Sequence, residues 1–245
     1  KMLTGNFSLP FVILFIPWIL MSPSGFSQRA QTISLKEIPQ KKVRHYIETR
    51  EINYMQDFSL IHASWKKGTD PSAYRVHQKT FIIDNKLKDV WSCYRHAYPV
   101  KSWKTHFIKV GLLISKDSNA VTYLSNCIYP QVDTGQVVFL DLKIFKGLLN
   151  VPLAFEITNI DPFQKIMEFS YIDGNKSSGK QTIQFFDNGD GRTRIVHKSY
   201  FKSDSPFRDK ILYPYFHTRF IKEFHRNMKH ALEKTEPADT NYFPL

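Results

Sequence analysis

Three histidines fall close together near the C-terminus, in FHTRFIKEFHRNMKH: His217, His225 and His230. Such a cluster can ligate a metal, move protons, or form the polar patch of an apolar pocket. Helical periodicity decides the first. At about 100° per residue, His217 and His225 stand roughly 80° apart and His225 and His230 roughly 140° apart, so the three do not converge on one ion. Zinc-binding helices place two histidines four residues apart, a spacing missing from this set. No metal is therefore expected, and no cofactor. His217 follows Tyr213 by four residues and precedes Phe220 by three, which puts it on the apolar stripe of a helix. His225 and His230 fall toward the edges of that stripe, with Lys222, Arg226 and Lys229.

A second set lies on strands. In RTRIVHKSYF the charged Arg192, Arg194 and Lys198 point to water, which turns Ile195, His197, Ser199 and Phe201 inward. KIMEFSYI likewise turns Met167, Phe169 and Tyr171 inward and Glu168 outward. GQVVFLDLKIF puts Val138, Leu140, Leu142 and Ile144 on one face and Asp141 on the other. His197 and Ser199 are thus the leading candidates for orienting the polar group of a ligand, with structural hydrogen bonding as the competing account. Two residues apart on one strand face, their side chains stand about 7 Å apart. That is too far for direct proton transfer, and there is no GxSxG elbow, so a hydrolytic triad is excluded. A lone histidine acting as acid or base stays open.

The elements that carry these residues follow from periodicity. YRVHQKTFII alternates with period two and reads as a strand; DNKLKDVWSCYRHA, with Asp84 or Asn85 as cap and Leu87, Val90, Trp91 and Tyr94 at helical spacing, reads as a short helix. Pro99 ends it, because the residue before a proline disfavours helical geometry. From Phe107 a hundred residues of β pattern follow: FIKVGLLIS, AVTYLS, GQVVFLDLKIF, PLAFEITNI, KIMEFSYI, KQTIQFFD and RTRIVHKSYFKS. Their separators KDSN, DPFQ, DGNKSSG and NGDG suit antiparallel hairpins, since Gly and Asn tolerate the positive φ of tight turns. The chain then switches to a long helix, capped by Ser203 or Ser205 ahead of Pro206 and kinked or divided at Pro214. Tyr213, Phe216, Phe220, Phe224, Met228 and Leu232 recur along it every three or four residues.

This order of strand, short helices, antiparallel meander and long terminal amphipathic helix resembles the START-like superfamily, also called SRPBCC. It includes START lipid-transfer domains, polyketide cyclases and birch-pollen-type allergens. The resemblance runs from about Tyr74 to Lys234 and is carried by YRVHQKTFIIDNKLKDVWSCY, whose helix turns on the pair Val90-Trp91, and by the helix from Phe207. It implies an α+β helix-grip fold: a curved antiparallel sheet wrapped around the long C-terminal helix, short helices after the first strand, and a cavity between helix and sheet. The superfamily has no universal catalytic motif, so no catalytic residue carries over. Packing points the same way independently, because one long sheet needs a cover for its apolar face and this helix is the one long cover present.

The remaining features set the boundaries. Of the 245 residues, 15% are aromatic and 23% charged, an ordinary globular composition. The net charge of +12 is scattered and interleaved with acids, and no zinc-finger spacing, RNP-type motif or recognition helix is present. Nucleic acid is therefore not expected as a partner, while contact with an anionic membrane surface stays open. Residues 1–27, with one basic residue, an apolar run from Leu9 to Met21 and small residues at Gly25 and Ser27, read as a signal peptide. An uncleaved membrane anchor is the alternative. Residues 28–70 read as an N-terminal extension packing on the main domain, 71–235 as the helix-grip domain, and 236–245 as a tail. Cys93 and Cys127 allow one disulfide in an oxidising compartment or remain free thiols.

Together these readings lead to an exported, periplasmic or secreted, binding or carrier protein for an apolar or amphipathic small molecule, such as a lipid. His197, Ser199, His217, Tyr171 and Tyr213 would orient its polar end, and Met167, Phe169, Phe216, Phe220 and Phe224 would line the apolar part. A cyclase- or hydrolase-type enzyme in the same cavity, and a domain packed without any void, are the alternatives.

Overall fold

A computed structural model describes residues 33–52, 55–118, 120–123, 131–144 and 148–234. The leader, the tail and Cys127 lie outside the described residues. The N-terminal stretch forms one short helix, α1 (Lys41–Glu48), between 3-10 turns at Leu35–Glu37 and Met55–Leu60. β1 (Arg75–Ile83), α2 (Leu87–His96) and α3 (Pro99–Ser102) follow. Then come β2 (Ile108–Ser115), β3 (Ala120–Thr122), β4 (Gln136–Ile144), β5 (Leu149–Asp161), β6 (Ile166–Tyr171), β7 (Ser177–Asp187) and β8 (Thr193–Ser203). A π turn at Arg208–Leu212 leads into α4 (Tyr213–Lys234).

The strands form one open antiparallel sheet in the order β1-β8-β7-β6-β5-β4-β2-β3, curved around α4. This is the helix-grip architecture. Two β-bulges contribute to the curvature, one between Val110 and Leu112 in β2 and one between Ile157 and Asn159 in β5. The first also resets the faces of FIKVGLLIS. Val110 and Leu113 pack on the helix side, whereas Leu112 and Ile114 pack on the outer side, which strict alternation would not give.

Both faces of the β2–β4–β5 half are covered. On the inside, Ile108, Val110, Leu113, Val138 and Leu140 meet Trp103 and Phe220. On the outside, Val137, Phe139 and Ala154 pack under Ile38, Val43, Ile47, Phe58 and Ile61 of the N-terminal stretch. Two-sided burial accounts for the unbroken apolar run in GQVVFL. Glycine is needed where α1 crosses β2, since a Cβ on Gly111 would lie 2.9 Å from both methyls of Val43.

Two local expectations need correction. The cap residue of α2 is Lys86, without a side-chain hydrogen bond, rather than Asp84 or Asn85. Asp84 instead faces Lys229 of α4 at 3.7 Å, and the Asn85 carbonyl accepts from Thr193 Oγ1 at 2.7 Å. At the start of the terminal helix, Ser205 Oγ accepts from the Arg208 amide at 3.3 Å, so Ser205 is the capping serine. Pro214 has no N–H and its ring crowds the carbonyl four residues back. The widened turn at Arg208–Leu212 takes up that conflict, with the Tyr213 amide donating to the Arg208 carbonyl five residues earlier.

Candidate functional site

A cavity of about 360 Å³ opens between α4 and the inner face of the sheet. Leu140 and Leu142 of β4, Val151, Leu153 and Phe155 of β5, and Phe169 of β6 form its apolar floor. Phe216, Phe220 and Phe224 close it from the helix, each three or four residues after the last. Lys176 and Arg208 stand among its lining residues, Lys176 exposed and Arg208 paired with Asp204 at 2.7 Å.

One wall is polar. It consists of Gln181 on β7, His197 on β8 and Tyr213 and His217 on α4, together with Tyr171 on β6. Behind it four histidines form a continuous hydrogen-bonded chain. Gln181 Oε1 lies 2.9 Å from His197 Nε2 and 3.1 Å from His217 Nε2. His197 Nδ1 is 3.0 Å from His225 Nε2, and His225 Nδ1 is 2.6 Å from Tyr94 Oη. On the other side His217 Nδ1 is 3.0 Å from His77 Nδ1, and His77 Nε2 is 3.0 Å from Thr218 Oγ1.

The tautomers follow from this geometry. A carbonyl oxygen accepts, so His197 and His217 each donate from Nε2 and must accept at Nδ1. His225 then donates from Nε2 and accepts the Tyr94 hydroxyl proton at Nδ1. His77 donates from Nδ1 and accepts from Thr218. Every ring nitrogen of the four histidines is used, and the pattern is that of neutral rings at His197, His217 and His225. Burial acts in the same direction: it holds His197 and His217 well below the ordinary histidine value, with neighbouring histidines adding to the effect. Burial, then His217, lowers His225 to about 3. His77, half-buried at the sheet edge, is lowered by desolvation and by Lys79.

A hydroxyl trio adjoins the chain. Tyr213 Oη lies 2.7 Å from Ser199 Oγ and 2.8 Å from Tyr171 Oη, and the Gln181 side chain also reaches Tyr171. Burial pushes Tyr213 up to about 12 and holds Tyr171 well above the ordinary phenol value, so both phenols keep their protons. Tyr213 is held in place by stacking, with its ring centre 3.6 Å from that of Phe201 and 5.0 Å from that of His217.

Of the residues singled out from sequence, Phe169, Tyr171, His197, Tyr213, Phe216, His217, Phe220 and Phe224 line the cavity. Met167 does not, being buried in the core beyond it with Ile183 and Met228. Ser199 is fully buried behind Tyr213 and touches the cavity only through that hydroxyl. His225 is a correction. It is buried rather than at the edge of the stripe, because the helix faces the sheet along Ile221, His225, Met228 and Leu232, one position over from the aromatic row. Gln181, His77 and Tyr94 were missed. A glutamine sharing a strand face with Ile183 and Phe185 was the available signal for the first. Among the described residues no group of three or more His, Cys, Asp or Glu is arranged to hold a metal. No helix there is long and apolar enough to cross a membrane. Cys93 is a half-buried free thiol whose pKa burial raises to about 11.

The backbone is similar to that of norcoclaurine synthase from Thalictrum flavum. A point mutant bound to a transition-state analogue matches with a TM-score of 0.50 at 12% identity, over 66% of this chain and 95% of that one. The same enzyme in complex with dopamine and hydroxybenzaldehyde matches with a TM-score of 0.50 at 11% identity, over 70% and 95%. The Zhui aromatase/cyclase from Streptomyces sp. R1128 gives 0.49 at 12% identity, over 66% and 94%. At such identities the likeness to norcoclaurine synthase shows the fold, the helix grip, and nothing about the reaction. No family model and no curated protein matches the sequence.

Proposed function

We propose that the protein is a binding or carrier module that holds an apolar or amphipathic small molecule between α4 and the sheet. The observation that carries this reading is the apolar cavity of about 360 Å³, a volume within the roughly 300–1,000 Å³ usual for small-molecule sites. The same fold holds dopamine and hydroxybenzaldehyde in norcoclaurine synthase, which supports a small-molecule occupant. Binding is favoured over acid–base catalysis because every ring nitrogen of His197 and His217 already has a partner. Exposed Leu148, Phe207 and Ile211 precede the lining residues Leu149, Arg208 and Leu212 in the chain. Apolar side chains beside Arg208 and Lys176 suit exchange of the ligand at an anionic membrane surface.

Leu142 and Val151 are register partners on β4 and β5, and both border the open space. Val151→Trp should therefore fill the cavity with little strain and weaken binding of ethylnaphthalene at least tenfold, read by calorimetric titration, with the thermal midpoint nearly unchanged. Equal affinity in wild type and variant would place the ligand elsewhere. The reading of residues 1–27 as a leader makes this an exported carrier. N-terminal sequencing of the protein recovered from its source should start near residue 28, and a chain that keeps those residues would make it membrane-anchored instead.

A further inference from the structure

The loop between β6 and β7 forms part of the cavity rim, and the sheet holds it lightly. Ladder pairing of the two strands ends at Ser170 and Lys180, and in the stretch beyond it Asn175, Lys176 and Ser177 line the cavity. From β5 the Ala154 carbonyl accepts from the Ile172 amide at 3.3 Å and from Asn175 Nδ2 at 2.9 Å. The inner side of the loop is tied to the start of the terminal helix, where Arg208 Nη1 donates to the Lys176 carbonyl at 3.0 Å.

Its outer side is held by the N-terminal stretch. Ile172 is buried in the apolar cluster with Ile38, Val43 and Ile47. The Asp173 amide donates to the His62 carbonyl at 2.8 Å, and the Ser64 amide to the Tyr171 carbonyl at 2.7 Å. Val43 and Ile47 seat α1 on the sheet, which leaves Tyr46, and Arg50 four residues on, beside the loop. Tyr46 Oη donates to Asn175 Oδ1. Burial pushes this phenol up to about 12 despite the Arg50 charge, so the donated proton stays on it. Arg50 Nη1 donates to the Asp173 carbonyl at 2.8 Å, while its guanidinium lies over the Tyr46 ring, 4.2 Å from the centre. Neither Tyr46 nor Arg50 lines the cavity.

Whether such a loop swings away depends on its own contacts, because local opening is governed by the segment that opens. Affinity depends on the floor and the polar wall, whereas passage in and out depends on the rim. Resting on the carrier reading above, we propose that Tyr46 and Arg50 are positioning residues for the cavity mouth, holding the β6–β7 loop against α4 and so setting the rate at which a ligand passes.

The probe is N-phenyl-1-naphthylamine, a neutral fluorophore that brightens in apolar surroundings, mixed with the full chain by stopped flow. A signal in wild type that is lost in Val151→Trp places it in the cavity. In Tyr46→Phe, association and dissociation should both quicken about fivefold, the worth of one neutral hydrogen bond. In Tyr46→Phe/Arg50→Ala both should quicken at least tenfold, with Kd within twofold of wild type throughout. A merely structural role would not raise the two rates together. His45→Gln, exposed on the same helix, should exchange as wild type does. Unchanged rates in both variants, or faster dissociation alone with loss of affinity, overturn the assignment and leave the carrier reading standing. If the probe does not bind wild type, or binds Val151→Trp equally well, the carrier reading falls and this assignment with it.

Discussion

Between about pH 7 and pH 5 the protein should lose most of its thermal stability. The cause is the buried chain of His217, Gln181, His197 and His225. A protonated imidazole here is a charge in an enclosed site, and its neighbours along the chain are imidazoles and a carboxamide rather than a carboxylate. The folded state therefore resists protons that the unfolded chain accepts from about pH 6.5 downward. The direction is fixed by burial, first among the causes for each of the three histidines, and His225 is held as low as about 3. Unfolding thus takes up protons in this range, and stability falls as pH falls, toward a limit of ~4 kcal/mol per pH unit if all three stay neutral. Against an ordinary stability of roughly 5–15 kcal/mol, the acid transition should come near pH ~5. Thermal midpoints across this range provide the check, with the exposed His45→Gln as a control that should follow wild type. A midpoint that stays level from pH 7 to pH 5 would mean that the chain is not assembled as described.

Gly179→Ala should be the most damaging single methyl that can be added. Gly179 lies in β7 opposite Phe201, with φ of +127°, and a Cβ there would sit 2.0 Å from the backbone carbonyl oxygen of Tyr200. No rotamer relieves a clash with backbone, and this φ is itself unfavourable for alanine. The position is a junction: β6–β7 pairing ends at Ser170 and Lys180. Beyond it the segment around Ser64 fills in, with the Gly179 amide donating to Ser64 Oγ at 3.0 Å and Ser170 Oγ donating to the Gly179 carbonyl at 3.2 Å. Alanine should thus both separate β7 from β8 and release the N-terminal stretch, a loss of at least ~3 kcal/mol. Denaturant midpoints measure it. A loss below ~1 kcal/mol would show that β7 and β8 are not paired as they appear here.

The strand faces were legible because period two is robust: Ile195, His197, Ser199 and Phe201 point inward as the placement of Arg194 and Lys198 requires. The long helix was legible for the same reason at period 3.6. What one stripe does not reveal is how a helix of 22 residues divides its perimeter between two neighbours. Six large aromatic and aliphatic side chains set the apparent axis, but four of them, Tyr213, Phe216, Phe220 and Phe224, face a cavity, and the helix packs on the sheet along Ile221, His225, Met228 and Leu232. His225 was misplaced by that offset. Gln181 and His77 could not be paired with His217 from sequence, since those bonds join residues 36 and 140 positions apart. Nothing local encodes such a partner. The covering of the outer sheet face shows in the excess of apolar residues in GQVVFL, and residues 28–70 read as packing on the main domain, but nothing local says on which face.

The widened turn before Pro214 has a consequence for how the site can change. A π turn is an α-helical turn with one extra residue, so losing one residue between Arg208 and Leu212 would restore ordinary winding once Pro214 is also replaced. It would rotate Phe207 and Arg208 by about a quarter of a revolution while leaving everything from Pro214 onward in place. Arg208 on the cavity lining and the polar wall from Tyr213 onward are thus mechanically uncoupled. Descendants of this sequence can revise which molecules are admitted by indels at a single hinge without rewriting how an admitted molecule is recognised.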